Sequence, residues 1–87
     1  MEMRHFVYVI QSEKDGRRYI GYTTDVEKRL MYHNEGLNKS TKNRGPFKLI
    51  YKEERASKSE ALKRERLLKR QKGGVTLTKV LRSFGRE

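Results

Sequence analysis

FVYVIQSEKDGRRYIGY, residues 6–22, decides the fold. Its first part, FVYVI (6–10), is an unbroken β-branched and aromatic run, the pattern of a strand covered on both faces and therefore central in its sheet. EKDG (13–16) interrupts it, and the Asp15-Gly16 pair suits a turn that needs positive φ. RRYIGY (17–22) then returns as the antiparallel partner, so residues 6–22 form a hairpin.

Working outward, Thr24 and Glu27 have capping-box spacing and Gly36 supplies a left-handed stop, which predicts a helix over about residues 25–35. LNKSTKNRGP (37–46) has no apolar period and is rich in Asn, Ser, Gly and Lys, so it reads as a loop, long enough to invite a functional explanation. FKLIYKE (47–53) restores alternation and predicts a third strand with Phe47, Leu49 and Tyr51 on one face. Ser57 and Glu60 repeat the capping box and open a helix of about residues 58–71 that ends before Gly73-Gly74. Leu77, Val80, Leu81 and Phe84 follow helical spacing, with Thr76 a cap and Gly85 a stop, giving a last helix of about 76–84. The order ββαβαα, with no internal repeat and no linker, predicts one α+β domain over residues 1–87. Its architecture is a small three-stranded antiparallel sheet flanked by helices.

At 87 residues folding buries only about 60–65% of the surface that the unfolded chain exposes, so the core must be small. The chain has no cysteine and two histidines, which excludes disulfides, thiolate zinc sites and an all-histidine metal site, and leaves oxygen as the metal ligand. No stretch approaches the roughly 18 apolar residues of a membrane span, and MEMRHFVYVI has too short an apolar run for a signal peptide, so the expected location is the cytoplasm. Charge is distributed unevenly: the net of +11 is zero over residues 1–38, +9 over 39–72 and +2 over 73–87. Such an asymmetry is the electrostatic footprint of a polyanion, because cations that neutralise phosphates release condensed counterions. No strongly apolar helix face accompanies the charge, which sets nucleic acid ahead of an anionic membrane; the bland reading is a solubilising surface.

Three features break the pattern. On the helix 58–71, with Leu62 at 0°, Glu65 falls at about −60°, Ala61 at about −100° and Leu68 at about −120°. A carboxylate in the middle of that apolar face costs several kcal/mol unless it is paired, hydrogen-bonded or bound to a cation. A Glu–Arg pair or a position at the rim of a narrow core explains it as readily as a functional site does. On the helix 25–35, Arg29 and His33 lie one turn apart beside the core-facing seam. An arginine fork suits phosphate oxygens, and a histidine carries protons near neutral pH, yet a basic helix edge with a satisfied histidine is commoner than a catalytic pair. Tyr8 and Tyr19 sit on adjacent strands of the hairpin, where tyrosine is ordinary filling.

Together these residues resemble the GIY-YIG nuclease family. The first triplet of its signature appears as Phe6-Val7-Tyr8, which keeps only the tyrosine, and the second, Tyr19-Ile20-Gly21, is complete. The signature arginine in the following helix matches Arg29, and the glutamate of the next long helix matches Glu65 within ALKRE (61–65). His33-Asn34 and STKNRGP (40–46) also resemble short stand-alone bacterial members, similar to the nuclease domain of the excision-repair incision subunit and to the catalytic subunit of structure-specific resolvases. The resemblance spans roughly residues 5–71; residues 75–87 match no motif of the family.

The resemblance implies a GIY-YIG endonuclease-like fold and metal-dependent hydrolysis of phosphodiester bonds in DNA, structure-specific or weakly sequence-specific, in repair or recombination. It implies a single divalent cation, Mg²⁺ or Mn²⁺, held chiefly by Glu65. Arg29 would stabilise charge developing on phosphoryl oxygens. Tyr8, or Tyr19 with it, would take or position the proton of the attacking water, with His33 a competing base. The loop 37–46 and the basic side of the helix 58–71 would hold the nucleic-acid backbone through Lys39, Lys42, Arg44, Lys63, Arg64 and Arg70. The partner expected is nucleic acid, DNA ahead of RNA, with no membrane. A domain this small has no room for a separate recognition domain, which leaves a partner protein for targeting open. The alternative is a non-catalytic DNA- or RNA-binding module on the same scaffold.

Overall fold

The computed structural model describes residues 3–39 and 41–70. Within them the chain runs β1 (His5–Ser12), β2 (Arg18–Thr23), α1 (Val26–Asn34), β3 (Phe47–Arg55) and α2 (Lys58–Arg70). The fold is α+β: the strands form one antiparallel sheet in the order β2-β1-β3, with a helix on each face. The last helix expected, about 76–84, lies outside the described residues.

The unbroken apolar run makes β1 the central strand, and Val7 to Ile10 are all buried. Strand alternation sends successive side chains to opposite faces. Val7 and Val9, with Ile20 of β2, pack against Ala61 and Leu68 of α2. Tyr8 and Ile10 pack with Phe47 and with Val26 of α1. Each fully buried aliphatic side chain contributes about 1.5–3 kcal/mol, so few are available to stabilise either layer. The hairpin closes as its sequence demands: Gly16 takes φ +76°, its amide donates to the Ser12 carbonyl at 2.9 Å, and the Arg17 amide donates to the Asp15 carboxylate at 2.9 Å.

Two local expectations need correction. The N-cap of α1 is Asp25, whose carboxylate accepts the Lys28 amide at 3.1 Å, and not Thr24. The Thr23 hydroxyl accepts the Asp25 amide at 3.1 Å instead, so the capping position moves one residue along and the glutamate partner of a capping box is out of step. The second correction concerns β3. Val9 pairs with Tyr51 and Ile10 with Leu49, which leaves Ile50 as the extra residue of a bulge. A bulge reverses the facing of everything beyond it. Phe47 and Leu49 therefore pack on the α1 side, while Tyr51 joins the α2 side. By contrast, Ser57 caps α2 as its spacing predicts, accepting the Glu60 amide at 3.1 Å. Gly36, with φ +75°, stops α1.

Candidate active site

The site begins with a missing side chain. Tyr8 of β1 lies opposite Gly21 of β2 in the register, and its ring crosses the glycine. A Cβ on Gly21 would sit 2.6 Å from the Tyr8 Cζ, closer than carbon atoms pack. Glycine here is a requirement of the neighbouring phenol. The conformation itself asks for nothing unusual, since Gly21 keeps ordinary strand geometry.

The Tyr8 hydroxyl is buried and meets His33 Nε2 of α1 at 2.9 Å. The other ring nitrogen, Nδ1, meets the Thr41 hydroxyl at 2.8 Å, and that hydroxyl reaches the Asn38 carbonyl at 3.5 Å. Hydrogen-bond accounting along this series sets the tautomer. The carbonyl only accepts, so Thr41 donates to it and accepts from Nδ1–H; Nε2 is then an acceptor, and Tyr8 donates to it. Tyr19 closes the cluster, its ring centroid 4.8 Å from that of His33. Arg29, one turn before His33, hydrogen-bonds the Tyr8 side chain and lies over the Tyr32 ring at 4.7 Å. Among the described residues its buried Nε has no hydrogen-bond partner.

Electrostatics follow from this crowding. Burial pushes the Tyr8 phenol up to about 12; the hydrogen bond and charge of Arg29 pull against that, and the Tyr19 and Glu65 charges add to it. Burial and then the Arg29 charge hold the His33 imidazole down to about 4. Both groups are neutral at pH 7.

Glu65 comes from α2, on the opposite face of the sheet, between the buried Ala61 and Leu68. Its side chain is 19% exposed and its carboxylate lies 3.4 Å from Lys69 Nζ. Among the described residues no hydrogen bond or ion pair joins it to the α1-side groups, but its charge reaches the Tyr8 phenol. Tyr8, Tyr19, Arg29 and His33 thus form one cluster, and Glu65 acts on it through its field. The remaining candidates lie further out. Lys39, Lys42 and Arg44 are exposed on the loop, and Lys63 and Arg70 are exposed on α2.

Arg64 stands apart from those free cations. Its Nε donates to both oxygens of Glu53, at 3.1 and 3.0 Å, and Glu53 also accepts from Tyr51 and Arg55. Burial pushes this carboxyl up, but the three donors outweigh burial and hold it below its usual range. The reason Arg64 differs from Lys63 is positional: one residue along a helix turns the side chain by about 100°, toward β3 for Arg64.

Sequence reasoning missed the groups that hold the site's frame. Thr41 is buried and sets the His33 tautomer. Ser12, also buried, donates to the Arg44 carbonyl at 2.6 Å, while the Asn34 side chain accepts the Phe47 amide at 2.6 Å and donates to its carbonyl at 3.2 Å. Together they pin the loop at both ends. Of Thr41, Ser12 and Asn34, only Thr41 lies in the loop, where no periodicity marks it and its burial is what distinguishes it.

The sequence matches the profile of the GIY-YIG catalytic domain over residues 4–77. The chain belongs to the GIY-YIG family. Among its GIY-YIG relatives, a UPF0213 protein of Streptococcus pneumoniae is 49% identical over 73 residues, covering 83% of this chain and 73% of that one. A UPF0213 protein of Staphylococcus saprophyticus is 49% identical over 63 residues, covering 71% and 76%. The solution NMR structure of a UPF0213 protein from Bacillus halodurans is 42% identical, with coverage of 78% and 72% and a TM-score of 0.49. The similar proteins are thus of the UPF0213 group, where the motifs alone suggested kinship with excision-repair and resolvase subunits. Among the described residues no helix is long and apolar enough to cross a membrane.

Proposed function

We propose that this GIY-YIG domain hydrolyses phosphodiester bonds in DNA, with structure-dependent or weak sequence preference, and that it needs one divalent cation. The observation that carries the proposal is the Tyr8 hydroxyl, seated over Gly21 between an accepting His33 Nε2 and the Arg29 guanidinium, with the Glu65 charge within reach. An ordinary core tyrosine has no use for that company.

Residues 3–39 and 41–70 contain no cluster of three His, Asp or Glu groups that could cage a metal. The Glu65 carboxylate, on a side chain 19% exposed, fits a hard cation such as Mg²⁺ or Mn²⁺ all the same, since Mg²⁺ is commonly held by one or two carboxylates with water and substrate oxygens completing its shell. Held there by Glu65, the cation would supply positive charge at the phosphate and would offset the negative field of Glu65 that raises the Tyr8 phenol.

The chain's own residues supply the rest. Arg29 Nε, lacking an acceptor, binds a non-bridging phosphate oxygen and stabilises charge that grows there as the attacking water adds to phosphorus. The Tyr8 oxygen takes the proton of that water while its own proton passes to His33 Nε2, so the proton ends on the imidazole. Thr41 keeps Nε2 unprotonated beforehand. The substrate phosphate offsets the Arg29 charge, one of the two causes holding His33 low, and so eases that transfer. The P–O bond to the leaving oxygen breaks, and that oxygen takes a proton from solvent. Tyr19 keeps the histidine ring in place. Lys39, Lys42, Arg44, Lys63 and Arg70 hold the backbone.

The test is a panel of labelled flaps, junctions, nicked duplexes, single strands and duplex RNA incubated with Mg²⁺ or Mn²⁺. The parent should cut at least one DNA substrate, while Glu65→Gln and Arg29→Ala should bind without cutting. Equal cutting by both variants overturns the site. A parent that binds duplexes yet leaves every junction whole in Mn²⁺ is a binding module instead.

A further inference from the structure

Around the edge of the sheet lies a second feature, a largely apolar cleft flanked by two cations, that the hydrolysis scheme does not use. The cleft, of about 290 Å³, is lined by Arg18, Tyr19, Ile20 and Lys69. Alternation along β2 puts Arg18 on the face of Ile20, under α2, and Lys69 closes the cleft from the last turn of that helix. Among the described residues Arg18 Nε is buried with no hydrogen-bond partner. Lys69 is 53% exposed, and its ammonium lies on Glu65, 3.4 Å away. β2 is an outer strand, so the cleft sits around the strand edge from the Tyr8 cluster, joined to it by Tyr19.

We propose that this cleft seats the phosphate next to the one that is cut, gripped by Arg18 and Lys69, and that Lys69 leaves Glu65 to make that grip. The inference rests on the nucleic-acid reading above. Its charge argument is direct: two cations line the cleft, one has a buried donor with no acceptor among the described residues, and the other is paired with the carboxylate that the scheme assigns to a metal ion. A lysine–glutamate pair at i,i+4 with its lysine half exposed favours the closed form by only about twofold. A phosphate offered on one side and a divalent cation on the other therefore exchange the partners readily. Lys69 thereby links the two ligands: nucleic acid draws the ammonium off Glu65 and frees the carboxylate for the cation, and the coupling is reciprocal.

The experiment measures binding of a labelled DNA flap to the full chain without divalent cation, as salt is varied. Arg18→Met and Lys69→Met should each weaken binding several-fold and lower the slope of log K against log salt by about one. Arg18→Lys should keep the slope. So should Lys58→Met, at the far end of α2 and about 16 Å along its axis. In a second measurement, Mn²⁺ titrated without DNA should bind Lys69→Met about twofold more tightly than the parent and Arg18→Met no differently. Unchanged salt slopes in both methionine variants, with flap binding otherwise intact, overturn the subsite and leave hydrolysis standing. Lost slopes in a chain that never cuts leave the subsite standing and overturn hydrolysis.

Discussion

The two faces of the sheet keep polar groups beside a small core by different means. On the α1 side Tyr8, His33, Thr41 and the Asn38 carbonyl are neutral and bonded in series, with the Arg29 charge beside them. On the α2 side ion pairs prevail: Glu65 with Lys69, and Glu53 with Arg64 and Arg55. A series of neutral bonds fixes geometry and proton position, because each hydroxyl and the neutral imidazole have one donor to give and the carbonyl at the end has none. Ion pairs near the surface leave each charge exchangeable, since a competing ion replaces either partner at little cost. A reaction that needs an aimed phenol and a carboxylate free to change partners draws one from each face.

The sharpest break in that comparison is Glu65→Gln. It removes the exchangeable charge and leaves the neutral series intact, so cleavage should fall by about 100-fold or more while flap binding and the unfolding midpoint hardly move.

Acid attacks the other face. His33 is held neutral at about 4, below its usual 6.5, so between these values the unfolded chain binds the extra proton. The stability it contributes is complete above pH 6.5 and is lost as pH falls toward 4, by about 3 kcal/mol. Unfolding midpoints measured across this window should drop in the parent, and the drop should be much shallower in His33→Gln.

Gly21→Ala forces a methyl against the Tyr8 ring and should cost about 2 kcal/mol. That corresponds to a fall in midpoint of roughly 8–16 °C for a domain of this size, with loss of cutting. The smallest expected effect separates the faces by salt. Tyr8→Phe, which leaves Nε2 unsatisfied, should cost about 1–2 kcal/mol at any ionic strength. Glu53→Gln should cost about 1 kcal/mol at low salt and less in 1 M salt, where screening shortens the reach of charge. Denaturant titrations at two salt concentrations compare them.

Legibility in the sequence tracked how locally each feature is decided. The central strand, the Asp15-Gly16 turn and the Ser57 cap were readable because they depend on neighbours within four residues. The cap of α1 was misplaced by one residue where three candidate caps, Thr23, Thr24 and Asp25, stand in a row and only backbone geometry chooses between them. The bulge at Ile50 was unreadable because alternation in β3 looks regular until it is paired with β1. Glu65 was visible as a carboxylate out of pattern, whereas its partner Lys69 looked like any exposed lysine. Arg64 and Lys63, adjacent and both basic, parted company only through Glu53 on another element.

By itself the sequence determined the elements, their order, the polyanion-seeking charge and the family to which the tyrosine, arginine and glutamate belong, since periodicity and spacing are properties of the chain alone. Tertiary structure alone decided which polar group meets which. It set the tautomer of His33 through Thr41, laid the Tyr8 ring over Gly21, drew Arg64 into an ion pair and, among the described residues, left donors on Arg18 and Arg29 without acceptors. The physical reason is range: hydrogen bonds and ion pairs act over a few ångströms, and residues as far apart in sequence as Tyr8 and His33 come within that distance only once the chain has folded.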